Sequence, residues 1–214
     1  MKTINISGID IKIYSGNIGI VCSGGADSSV LLYILMQNIP STLHIFTNGN
    51  SNRSFKNITV ATQIVQKCIE LTNNNNVRHY ITFTKAQTMD SIFDHPFEWI
   101  NNNQIDMLYT GVTQNPDKAV YEKFSVPLDS YNINIRDSSQ KKSEHPTENS
   151  YCPWINYDKQ RIAKVYKDLG LLESLYPLTR SCEWEKGDPA PDPGLGHCGE
   201  CWWCEERKWA FGKL

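Results

Sequence analysis

Apolar and polar positions follow two alternating periods along the first half of this chain, and each change of period predicts a new element. Residues 9–14 set Ile9, Ile11 and Ile13 against Asp10 and Lys12, the period-two pattern of a half-exposed edge strand. Residues 18–22 are apolar or glycine throughout, as in a strand buried on both faces. A helix is predicted over 26–37, closed by Asn38 and Pro40. A second buried strand is predicted over 43–47. Over 55–71, Ile58, Ala61, Ile64, Val65, Cys68 and Ile69 recur at helical spacing. A strand at 77–83 and a helix at 88–100 follow, the latter threatened by His95-Pro96. The fourth strand, 106–110, runs into Gly111.

Strands that alternate with helices predict an α/β fold with a parallel sheet covered on both faces, doubly wound by right-handed crossovers. Ligands of such sheets sit at the carboxyl ends of the strands. The loops at 23–28, 47–49 and 111–113 all fall there and should converge on one nucleotide.

Periodicity is lost from 123 to 156, a stretch rich in Ser, Asn, Pro and charge. A lid or substrate-binding segment and plain disorder both fit it. A helical pattern returns over 157–169 (Ile162, Val165, Tyr166, Leu169) and stops at Gly170. The chain therefore divides into an α/β core over 1–122, an irregular segment over 123–156, and a helical region with a cysteine cluster over 157–214.

The 214 residues suit one domain with a small appendage, and 40% hydrophobic with 21% charged content is that of a soluble globular protein. A formal charge of -2 gives no basic field, so no direct nucleic-acid binding is expected. No signal peptide or membrane span is visible, and a cytoplasmic location follows. There, the seven cysteines read as thiols and metal ligands rather than disulfides.

The strongest chemical signal follows the 18–22 strand: Ser23-Gly24-Gly25-Ala26-Asp27-Ser28, with Ser29 next and a helix opening at once. Paired glycines permit a tight turn and close backbone approach. The N–H groups of the new helix lack internal partners and, with the helix dipole, favour an anion. The hydroxyls of Ser23, Ser28 and Ser29 can add donors. Asp27 is out of place in a pure anion site, and a divalent cation bridging it to phosphate would explain it. No Gly-Lys-Ser/Thr follows, so this is not a Walker A loop.

The second signal is at the other end. Cys182 is followed by Cys198, Cys201 and Cys204, two overlapping C-x-x-C units. Four thiolates suit a tetrahedral, structural Zn²⁺. Redox thiols, sulfur-transfer thiols and inert buried thiols are the other readings. Cys22 and Cys68 fit core positions.

Ser23-Gly24-Gly25-Ala26-Asp27-Ser28 resembles the pyrophosphate loop of the ATP pyrophosphatase superfamily, whose fold is adenine nucleotide alpha hydrolase-like. Taken with Gly111, the helix Asp158-Lys159-Gln160-Arg161-Ile162, Thr179-Arg180-Ser181-Cys182, the cysteine triplet and the closing Arg207-Lys208-Trp209-Ala210-Phe211, the chain resembles the 7-cyano-7-deazaguanine synthase family. That resemblance implies ATP-dependent conversion of 7-carboxy-7-deazaguanine and ammonia to the nitrile, releasing AMP and pyrophosphate. It implies pyrophosphate held by Ser23, Gly24, Gly25, Ala26, Ser28 and Ser29 with Gly111, Mg²⁺ placed by Asp27, Lys159 near phosphate, structural zinc and a homodimer. The chain departs from the family at 48–53 and 111–117. A divergent ligase using another amine, and a tRNA-thiolating or sulfonucleotide-type enzyme, are the alternatives.

Overall fold

Two antiparallel strands open the chain, β1 (Lys2–Ile6) and β2 (Ile9–Ile13), in a computed structural model that describes residues 1–50, 55–84, 94–102, 104–127, 130–183 and 192–214. Ser7 and Gly8 between them are both left-handed (φ 57° and 81°), as a two-residue hairpin turn of matching twist requires. The alternation expected of 9–14 is present: Ile9, Ile11 and Ile13 are buried and Asp10 is exposed. Its partner is β1 in a separate two-stranded sheet, concealed in the sequence by the polar content of 2–6. Tyr109 and Tyr151 fasten this hairpin to the main sheet, accepting from Tyr14 N at 3.0 Å and Lys12 N at 3.2 Å.

The main sheet begins with β3 (Ile18–Val21), then α1 (Ala26–Asn38), β4 (Leu43–Asn50), α2 (Lys56–Thr72), β5 (Val77–Thr84), α3 (Asp94–Asn101) and β6 (Met107–Tyr109). Pro96 lies within α3, which continues past it to Asn101. The predicted start of that helix at 88 lies outside the described residues. Beyond β6 come α4 (Lys118–Tyr121), α5 (Ser130–Ile135), β7 (Ser150–Tyr151), α6 (Lys159–Asp168) and α7 (Trp202–Phe211).

Five parallel strands stand in the order β5-β4-β3-β6-β7. The chain steps outward from β3 to β5, then returns to the other side of β3 with β6. That reversal makes a doubly wound sheet and opens a crevice at the carboxyl ends of β3 and β6, where open α/β sheets take ligands. Helix α1 packs against α2 and α6 and is buried on nearly all sides, which explains its run Val30-Leu31-Leu32-Tyr33-Ile34-Leu35. Helix α3 covers the opposite face, Phe97, Trp99 and Ile100 lying on Val21, Phe46 and Leu108.

The 123–156 stretch contains structure that no periodicity could announce. Two residues of β7 are too few to show a period, yet Tyr151, Cys152 and Trp154 are fully or almost fully buried beside them. Among the described residues no helix is long and apolar enough to cross a membrane.

Candidate functional site

The loop at 23–28 lies in the crevice between β3 and β6. Gly24 is left-handed (φ +82°), and a Cβ there would stand 2.8 Å from Val60 Cγ1 and 3.1 Å from the backbone N of Ala61. Only glycine lets the turn close onto α2. Gly25 caps α1 without a side-chain cap among the described residues, so the first-turn N–H groups point along the axis toward the loop. Ser23 Oγ and Ser28 Oγ lie 3.2 Å apart, and Gly25 N donates to Ser23 Oγ at 3.3 Å. Ser29 is fully buried, with its hydroxyl donating to Gly25 O at 2.7 Å. The first turn of α1 is clamped from outside by Tyr166 OH on Ala26 O (2.8 Å) and Trp154 Nε1 on Asp27 O (3.2 Å).

Of the other two segments expected as loops, 111–113 abuts the turn, whereas 47–49 is no loop: β4 continues to Asn50 and pairs these residues with β5. Gly111 abuts the turn so closely that a Cβ would meet Ser28 N at 2.8 Å. Thr47 donates to Cys22 O at 2.7 Å and lies 2.8 Å from His79 Nε2. With its one proton so placed, Thr47 accepts from His79, which therefore carries its proton on Nε2. Burial lowers the His79 pKa from its ordinary value and keeps the ring neutral. Of the divergent segment 48–53, residues 51–53 lie outside the described residues.

Lys159, placed by sequence on a helix near the site, is 3% exposed. Its Nζ is 3.0 Å from Asp27 Oδ2 and 3.2 Å from Glu206 Oε2. Glu206 Oε1 in turn lies 2.5 Å from Arg136 Nη2. Four alternating charges thus run from the loop through α6 and α7 to the middle segment. Burial alone would lower the Lys159 pKa, but the Asp27 and Glu206 carboxylates outweigh it and leave it raised. Burial alone would raise that of Glu206, and Arg136 and Lys159 outweigh it and leave it lowered. Lys159 and Glu206 are therefore both charged at neutral pH, and pairing is what permits their burial. Asp27 Oδ1 is buried and accepts no hydrogen bond among the described residues.

Cys182, Cys198, Cys201 and Cys204 meet beside this network, all four Sγ atoms within 4.8 Å of one another. Cys198 Sγ and Cys204 Sγ are 3.9 Å apart. A tetrahedron with metal–sulfur bonds of about 2.3 Å has edges of about 3.8 Å, so the spacing fits zinc. Backbone N–H groups of Cys198 and Cys201 donate to Cys182 Sγ and Cys198 Sγ, each at 3.4 Å, as suits thiolate sulfur. The cluster could hold a metal such as zinc. It is tethered to the loop: Arg180 N donates to Gly24 O at 2.9 Å, Arg180 Nε to Gly196 O at 3.0 Å, and Lys56 pairs with Asp192.

No protein-family model matches this chain, and no curated protein matches it. Among solved structures, the NMN synthetase from Francisella tularensis is similar over 92% of this chain and 78% of its own, at 14% identity and a TM-score of 0.42.

Sequence reasoning missed Arg136 and Glu206. Arg136 stands in the stretch without periodicity, and nothing local distinguishes it. Glu206 carried a faint signal, a charged residue two positions after the last cysteine where α7 turns inward. Trp202 is buried and Trp203 partly so; the Arg136 guanidinium lies 5.4 and 5.1 Å from their rings. The tryptophan pair therefore packs the network.

Proposed function

We propose that this chain is an adenylating enzyme that cleaves ATP to AMP and pyrophosphate at the 23–28 loop, acting on 7-carboxy-7-deazaguanine and ammonia to form the nitrile. The observation that carries the reading is the glycine turn at the crevice of a doubly wound sheet, with an uncapped helix N-terminus and a carboxylate oxygen, Asp27 Oδ1, in need of a partner. A hard divalent cation takes such an oxygen, so the residues fit Mg²⁺ brought with ATP, which would supply charge neutralisation on the phosphates. Ser23, Gly24, Gly25, Ala26, Ser28 and Ser29 would hold pyrophosphate, with Gly111 keeping the turn closed, and Lys159 would add positive charge behind Asp27.

In this reading the substrate carboxylate oxygen attacks the α-phosphorus and pyrophosphate leaves. Ammonia attacks the acyl carbon and AMP leaves, giving the amide. The amide oxygen then attacks the α-phosphorus of a second ATP and pyrophosphate leaves again; loss of AMP with the two amide protons leaves the nitrile. The chain aligns the carboxylate, neutralises phosphate charge and excludes water. The 1–122 part would supply the nucleotide site, 123–156 would shape the substrate side, and 157–214 would bring Lys159 and the structural zinc site.

One observation favours a second reading, a ligase joining the acid to a different amine. Arg136 is bonded to Thr113 O, Thr113 Oγ1 and Gln114 O, which commits part of the divergent 111–117 segment to the network. Sulfur transfer gains less support. It would need the C-x-x-C thiols free to react, and Cys198, Cys201 and Cys204 are grouped with Cys182 as the ligands of one metal ion would be.

The test is mass spectrometry of 7-carboxy-7-deazaguanine incubated with the protein, Mg-ATP and ammonium, following AMP and pyrophosphate in parallel. Nitrile with about two AMP per product, one for each activation step, is the expected result. Amide or adenylate without nitrile points to the second reading. Unchanged substrate with intact ATP refutes both.

A further inference from the structure

The buried charges do more than pair: they close a ring around the loop. From Asp27 the path runs to Lys159 on α6, to Glu206 on α7, and to Arg136. Arg136 Nε donates to Thr113 O at 2.8 Å and its Nη2 to Thr113 Oγ1 at 3.0 Å. Thr113 follows Gly111, which is packed against the backbone of Ser28 and Asp27. The ring thus returns to the residue from which it started.

Its members are unequal in exposure. Glu206 and Arg136 side chains are 0% and 5% exposed and Lys159 is 4% exposed, while Asp27 is 17% exposed. Asp27 is the end of the network nearest solvent. A lysine ammonium is a compact point charge on a flexible stem. Held by one carboxylate alone, Lys159 could close over both oxygens of Asp27. Shared between Asp27 and Glu206, it is drawn to Oδ2 and leaves Oδ1 without a partner.

We propose that Glu206, held in place by Arg136, is a positioning residue for the nucleotide loop: it draws Lys159 off Asp27 Oδ1 and so keeps that oxygen available to the divalent cation that accompanies the nucleotide. The inference rests on the reading of the 23–28 loop as a metal–nucleotide site. It also ties that site to the cysteine cluster, because Glu206 lies in the first turns of the helix that Cys201 caps.

The experiment measures binding of the Mn²⁺ complex of α,β-methylene-ATP to the full chain, by equilibrium dialysis with the metal counted on both sides of the membrane. The variant is Glu206→Gln combined with Arg136→Gln, which removes one charge of each sign and leaves Lys159 to Asp27 alone. Folding is checked by thermal melting and zinc content. The expected result is one Mn²⁺ per wild-type chain and affinity on the order of tenfold weaker in the double variant, with the melt and zinc unchanged. Equal affinity in the two proteins overturns the positioning role and leaves the loop reading standing. No Mn²⁺–nucleotide binding by wild type overturns the loop reading, and this inference with it. If the double variant does not fold, Glu206→Asp decides. It keeps both charges, withdraws the carboxylate from Lys159 by one methylene, and is expected to weaken Mn²⁺ about threefold; unchanged affinity refutes the role.

Discussion

The two ends of this chain build two sites by opposite means. The 23–28 loop is made of backbone: its shape comes from a left-handed Gly24, an uncapped helix and a strand buried on both sides. The cysteine cluster is made of side chains: four sulfurs from two separated stretches meet within 4.8 Å. A backbone site is preorganised by the sheet beneath it and stands whether or not a ligand is present. A side-chain site of four thiols, with little apolar core of its own, needs its ion to stand. The buried tetrad joins them, so the difference in robustness should be felt at both sites.

The sharpest way to break that contrast is to take the metal away. Binding free energy for structural zinc is about 10–16 kcal/mol in small zinc domains and acts as folding energy. Cys204→Ser should reduce zinc from one per chain to none by metal analysis and expose the 192–214 segment to limited proteolysis. Far-UV circular dichroism should retain most of the sheet signal. Complete loss of that signal would mean that the two regions do not differ as argued.

A smaller effect is expected at the junction. Glu206→Ala leaves Arg136 and Lys159 buried with too little opposite charge, and breaking a buried pair in this way costs about 3–5 kcal/mol. Urea denaturation should show the loss. A cost below about 1 kcal/mol is what an exposed pair would give and would contradict the burial of the network.

Two glycine substitutions sharpen the backbone side. Gly24→Ala forces a Cβ into the left-handed region and against Val60, a strain of about 1–3 kcal/mol. Gly25 is extended (φ -72°, ψ 160°) and a Cβ there meets nothing nearer than 3.4 Å. Gly25→Ala should therefore leave stability unchanged or raised by about 0.4–1 kcal/mol. Equal losses in the two variants by chemical denaturation would refute the account of the turn.

The smallest effect concerns pH. The His79 pKa is lowered below its ordinary 6.5 by burial, so the folded state resists the proton that the unfolded state accepts. Its contribution is fully present above about 6.5 and declines as pH falls from there through the folded value. Melting temperature should fall on acidification through that window, and His79→Gln should flatten part of the decline. An unchanged slope would remove His79 from the explanation.

How much of this was legible in advance depended on how local each cause is. The strand–helix alternation from 18 to 110 could be read because each element carries its own period, and the order of those elements already implied a parallel sheet. The loop could be read because strand, glycine turn and helix are contiguous. The cysteines could be read because a metal site demands a chemical type at short spacing. The first strand of the opening hairpin could not, because its side chains are mostly polar and exposed. The two-residue β7 could not, being shorter than any period.

The sequence by itself determined the kinds of element, their order, the turn chemistry at Gly24, and the presence of four thiols able to take one ion, since all of these are properties of neighbouring residues. Only the tertiary structure decided that Lys159 is buried rather than solvated, that Arg136 and Glu206 complete its environment, and that the two ends of the chain share one network. Charges separated by 47 residues (Lys159 and Glu206) or 70 (Arg136 and Glu206) carry no mark of their pairing, because their burial is set by which elements pack together and not by anything beside them in the chain.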